Sequence, residues 1–150
     1  MGIRTLILAA TAGALLLAPA SAQDDESQSV KQEVQKSADK VKELQQERIA
    51  TLKTIVEMET ALHKMGSASP ESVLEARMLV CEAELDAAEN ESDRITILKN
   101  LVQVLKDLEE SAKARKKAAE GTEAAVLKVK ARRLEAEIRL ERRRGMARIK

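Results

Sequence analysis

None of the 150 residues is Phe, Tyr or Trp, and no other property of the chain narrows its fold so far. Aromatic side chains each bury roughly 150–250 Å² and dominate most cores, so a thick core between stacked layers is not to be expected. Narrow seams between helices need only Leu, Ile, Val, Ala and Met, and the 44% of the chain that is hydrophobic is made of these and one Cys. No segment alternates apolar and polar residues as a strand or a barrel would. The sequence therefore predicts an all-α fold of long antiparallel helical hairpins, coiled-coil-like in their packing.

The opening segment "MGIRTLILAATAGALLLAPASA" carries Arg4, then an uncharged stretch rich in Leu and Ala, then Ala20-Ser21-Ala22. Small residues at Ala20 and Ala22 suit the pockets of a signal peptidase, and Pro19 ends the apolar helix just before them. Residues 1–22 are expected to be a signal peptide, the mature chain to start at Gln23, and the protein to be periplasmic or secreted. The alternative is an uncleaved anchor, because Thr5 to Ala22 lacks charge and is marginally long enough to span a bilayer. The residue immediately after the cut is Gln23 and not Cys, so a lipid-anchored form is not expected.

Residues 23–29, "QDDESQS", read as a flexible acidic lead or a fraying helix start, and residues 30–150 as the helical domain. Apolar residues then recur at Val30, Val34, Val41, Leu44, Leu52, Ile55 and Leu62, steps of three, four and their sums, which predicts one helix over about residues 28–65. In "KMGSASPES", Gly66 suits the left-handed position past a helix end, Ser69 an N-cap and Pro70 a first turn. A second break is expected at "EGTEAA", with Gly121 ending one helix and Thr122 capping the next. At "ENESDR", either Asn90 or Ser92 caps a new helix, or one helix runs straight through.

A shift of 53 residues lays residues 49–88 on 102–141 with ten identities in forty, at Leu52, Lys53, Glu57, Ala61, Lys64, Val73, Leu74, Glu82, Ala83 and Glu84. This pattern indicates an internal duplication. Leu74, Met78, Cys81, Leu85 and Ala88 step by four and three as a heptad seam. Leu127, Ala131, Leu134, Ile138 and Glu141 step identically in the second copy. Beside the first seam lies a row of smaller residues, Val73, Ala76, Val80, Ala83 and Ala87, so this helix has a face broad enough for two neighbours. Each hairpin alone leaves its apolar face uncovered.

The run Gly66-x-x-Ser69-x-x-Ser72-Val73-Leu74-x-Ala76, continuing to Ala83-Glu84-Leu85, resembles an element that opens a long helix in TolC-like outer-membrane efflux proteins. That family also duplicates helical hairpins, and its members join a periplasmic helical tunnel to a transmembrane β-barrel. The resemblance spans about residues 49–141 and implies hairpin architecture and an envelope location. Ser72 stands where the family favours Asp, and His63 where it often has Tyr. The second copy keeps Val126, Leu127, Ala136 and Glu137 but lacks the Pro and most of the turn. No segment here supplies barrel strands, so export activity is not carried over.

Charge is balanced overall and uneven along the chain. Residues 23–111 hold 11 basic and 20 acidic side chains, net −9, and residues 112–150 hold 14 and 5, net +9. The last segment, "RLERRRGMARIK", concentrates Arg142, Arg143, Arg144, Arg148 and Lys150. These either neutralise acidic helices of the same or a second chain, or bind anionic lipid head groups or lipopolysaccharide phosphates. Nucleic acid is not an expected partner: export disfavours it, and no aromatic is present to stack on bases.

Catalytic constellations are not found. His63 is the only histidine, so a triad or His-rich metal site cannot form within one chain. Glu59, one turn earlier, makes with it either a two-ligand site or a solvated helical pair. Cys81, the only cysteine, is either a core thiol, or a reactive thiol or the site of an intermolecular disulfide that makes a covalent dimer. No cofactor is implied. The sequence predicts a non-enzymatic envelope protein that associates with itself or with another envelope protein.

Overall fold

A computed structural model describes residues 22–147, with side chains from residue 31. The proposed cleavage site therefore lies, apart from the backbone of Ala22, outside the described residues, as do Arg148 and Lys150. Four helices make up the described chain: α1 (Ala22–Lys64), α2 (Pro70–Ala87), α3 (Glu91–Lys117) and α4 (Glu123–Ala147). Among the described residues there is no strand, so the fold is all-α, as the sequence predicts. The backbone of 23–29 lies within α1. The chain divides between Ser37 and Ala38, and all packing described below lies in the unit Ala38–Lys150.

The two glycine-containing turns close in the same way. After α1, Ser67 N–H donates to Leu62 C=O (2.9 Å) and Gly66 N–H to His63 C=O (2.9 Å), with Gly66 at φ 73°. After α3, Glu120 N–H donates to Arg115 C=O (2.9 Å) and Ala119 N–H to Lys116 C=O (3.0 Å). Both are Schellman closures, which satisfy carbonyls the helix end leaves open. The second departs from expectation, because its left-handed residue is Ala119 at φ 62° and not Gly121. Gly121 serves a different purpose: a Cβ there would lie 3.1 Å from Lys116 N and 3.3 Å from Arg115 Cβ, so it permits close approach of the chain to the preceding helix end.

Helix starts follow the caps. Ser69 Oγ accepts from Ser72 N–H at 3.2 Å, Pro70 opens α2, and Thr122 Oγ1 accepts from Ala125 N–H at 3.2 Å. At the third junction the chain does break, with Asn90 as the cap and not Ser92: its Oδ1 accepts from Asp93 N–H at 2.8 Å. That break has no left-handed residue among Ala88, Glu89 and Asn90, and Arg94 Nε reaches back to donate to Ala88 C=O at 3.0 Å.

The core lies around α3. Leu98, Leu101, Val102 and Leu105 of α3 are buried with Met78 and Cys81 of α2 and with Ala136 and Leu140 of α4. Helical spacing splits the α3 residues into two rows. One runs through Leu98, Val102, Leu105 and Glu109 and meets α4, as the Glu109–Arg133 and Glu91–Arg143 ion pairs show. The other runs through Ile97, Leu101, Val104, Leu108 and Ser111 and meets α2, where Ser111 Oγ donates to Glu71. α1 is tied to α2 and its end by Lys53–Glu84, Arg48–Asp86 and Lys42–Glu89 (2.9, 2.9 and 2.7 Å), with numbers falling on one side as they rise on the other.

Candidate interaction surfaces

Because both rows of α3 are covered, the surfaces open to a partner lie on α1 and α4. Of the seam residues read from the sequence, Met78 and Cys81 are buried and Leu74 and Leu85 half-buried on α2. Their second-copy counterparts differ: Leu127, Leu134 and Ile138 are 53%, 43% and 52% exposed, and Ala131 is exposed too. The Cys81 and Leu134 positions therefore differ in environment within one chain, although their spacing matches. The difference arises because α3 follows α2 and covers it, whereas no described helix follows α4. A second apolar row is open on α1, where Val41, Leu44, Ile55, Met58 and Leu62 are all exposed. Sequence reasoning counted most of these as helix-forming positions and did not foresee that they would be left uncovered.

Cys81 lies in the core of the helical unit. Its thiol is free and buried, and burial, with help from Glu84 and Glu82, pushes its pKa up. A buried thiol held protonated is a poor nucleophile. His63 Nδ1 donates to Ala68 C=O at 3.0 Å, which ties it to the α1–α2 turn. Among the described residues no group of three or more His, Cys, Asp and Glu is placed to hold a metal ion.

Two groups of basic residues stand out on α4, with Arg143 in both. Several pair with acidic residues of the same chain. Arg133 Nε donates to Glu109 (2.7 Å) and its other nitrogen to Glu137 (2.8 Å), while Lys113 closes on Glu109 at 2.6 Å. Glu109 is the one buried charged residue among those described. The hydrogen bond from Lys113 and then that from Arg133 hold its carboxyl down at about 2, against the opposing effect of burial. Arg132 meets Glu82 of α2 at 3.4 Å and Arg143 meets Glu91 of α3 at 3.2 Å. The acidic-to-basic gradient along the sequence is thus partly neutralised inside the molecule.

The second group lines a cleft of about 420 Å³ bounded by Leu85, Asp86, Arg94, Leu98, Arg139, Arg142, Arg143 and Met146. Arg139 and Arg142 form no ion pair among the described residues. Arg144, adjacent in sequence, pairs with Glu141 of its own helix at 2.6 Å. The sequence signal for this cleft was the arginine run; Arg94 and Arg139 were not singled out, because only folding brings α3 beside the end of α4. No helix among the described residues is long and apolar enough to cross a membrane. Compared with known proteins, the chain matches no family profile, no curated sequence and no solved structure.

Proposed function

We propose that this chain is an exported, non-enzymatic helical interaction protein of the cell envelope, built as two antiparallel helical hairpins related by duplication and akin to the helical part of TolC-like proteins. The observation that carries the interaction role is the pair of uncovered apolar rows on α1 and α4, since long open apolar faces on a charged chain mark association surfaces. The duplication is supported by the turns. Lys64 and Lys117 end α1 and α3, Gly66 and Ala119 are the left-handed residues, and Ser69 and Thr122 cap the following helices, each pair 53 residues apart. The test is fractionation of expressing cells, followed by native mass measurement of the recovered protein. A processed chain starting at Gln23, found in the envelope fraction and in complexes, is the expected result. An unprocessed chain, or one that stays single with no co-purifying envelope protein, would refute it.

A second reading is favoured by one observation, the cleft with the unpaired Arg139 and Arg142. In that reading the chain is a peripheral binder of anionic envelope lipids. Flotation with vesicles containing phosphatidylglycerol should then recover the protein at low salt and lose it by about 0.5 M salt. Equal recovery with neutral vesicles would exclude it.

A further inference from the structure

We infer that the apolar row of α4 is covered by the apolar row of α1 from a second copy of this chain, so that copies associate head to tail. The inference rests on the duplicated-hairpin reading above. The contact already present between α2 and α3 supplies its template. Moving 53 positions forward from α2 reaches α4, and moving 53 back from α3 reaches α1.

The rows that meet at the α2–α3 contact are covered, and their counterparts are open. On the α2 side, Met78 and Cys81 are 4% and 8% exposed, where their counterparts on α4, Ala131 and Leu134, are both exposed. On the α3 side, Ile97, Leu101, Val104, Leu108 and Ser111 are buried or half-buried. Their counterparts on α1, in order Leu44, Arg48, Thr51, Ile55 and Met58, are all exposed. The two faces that a repeat of the internal contact would use are thus the two faces left uncovered.

The same template sets a register. Ser111 meets Glu71 near the start of α2, and Arg94 meets Ala88 near its end, so these helices run in opposite directions. Carried to the second copy, that pairing lays Met58 against Ala124, Ile55 against Leu127, Thr51 against Ala131 and Leu44 against Ile138. Arg48 replaces the apolar Leu101 in the row, but its guanidinium is drawn aside to Asp86 at 2.9 Å, leaving its aliphatic stem for Leu134. The charges do not oppose the pairing: residues 44–58 hold 2 basic and 2 acidic side chains, and residues 124–138 hold 4 basic and 2 acidic. Such an interface joins two different faces, so it closes into a ring or grows as an open chain.

Mixing of variants tests this directly. One full-length chain carries Leu134→Asp with Ile138→Asp on α4; the other carries Ile55→Asp with Met58→Asp on α1. All four positions are exposed, and helical circular dichroism checks that each variant folds. If either loses its helical signal, serine replaces aspartate at the same positions. By sedimentation the natural chain should form species larger than one copy, rising with concentration. Each variant alone should associate about 100-fold more weakly, as expected for charges forced into an apolar seam. Mixed together, the two should give a heterodimer that grows no further, because one sound α1 row meets one sound α4 row.

Self-association retained by the α1 variant would place α4 on α4, and retained by the α4 variant would place α1 on α1; either overturns the inference. A natural chain that stays single also overturns it. A single chain that is nonetheless exported and captured with another envelope protein would leave the broader functional reading standing, so the two failures are distinguishable.

Discussion

Replacing Glu109 with Gln should destabilise the chain at neutral pH and matter little in acid. Glu109 is buried between Arg133 and Lys113, and its pKa is held at about 2, against an ordinary value of 4.5. A depression of that size corresponds to about 3 kcal/mol of folding stability for a fully shielded group. Lys113 is 57% exposed, so its share is screened, and about 2 kcal/mol is the better figure. The sign follows from the direction of the shift. The folded form binds the proton less readily than the unfolded one, so the contribution is complete above about pH 4.5 and fades as pH falls towards 2. Thermal melts at one protein concentration would check this, followed by helical circular dichroism because the chain has no Trp for fluorescence. Glu109→Gln should melt about 6 °C below the natural chain at pH 7, with the gap nearly closed at pH 2.5. A gap that is equally large in acid, or one that widens there, would refute the reasoning.

Other substitutions test the turns and the core. Ala119→Gly should raise stability by about 1 kcal/mol, because a left-handed residue with a Cβ is strained by roughly that amount. Gly121→Ala should lower it by about 1 kcal/mol or more through crowding against Lys116 and Arg115; reversal of the two signs in chemical denaturation would show that the turn was misread. Asn90→Ala removes the cap of α3 and should cost about 1 kcal/mol, measured the same way. Cys81→Leu enlarges a buried site that already packs against Met78 and Leu98 and should cost about 1–3 kcal/mol. In the natural chain, Cys81 should react with a thiol reagent far more slowly than an unfolded control, and reaction at the control rate would mean that it is not buried.

Much of the fold was legible because the governing signals are local. The cap at Ser69, the proline at Pro70 and the left-handed Gly66 act within a few residues, so the local order of residues locates the first turn. Ala119 was missed for an equally local reason. Nothing in an alanine announces a positive φ, and the nearby Gly121 drew the prediction two residues along. The sequence does not decide the break after α2, because Asn90 and Ser92 are both good caps; in the structure Asn90 takes that place, accepting from Asp93 N–H. The seam on α2 was identified by spacing, but spacing cannot say which copies of a repeated row are covered. Leu134 and Cys81 occupy matching positions in sequence, and one is open while the other is buried because α3 follows α2. The Glu109–Arg133 pair and the arginine cleft were not foreseen, since they join residues from separate helices whose register is set by packing.

The position of α3 between α2 and α4 also sets how the molecule should open. α3 alone supplies both rows of the central cluster, whereas α2 and α4 each meet it through one. Backbone amides in the middle of α3 are released only when both flanking helices let go, so they should exchange with deuterium at a rate set by global unfolding. Amides of α4 require the loss of a single helix contact and should exchange sooner. An order of loss running from the outer helices inward would make α3 the last element standing as the molecule comes apart.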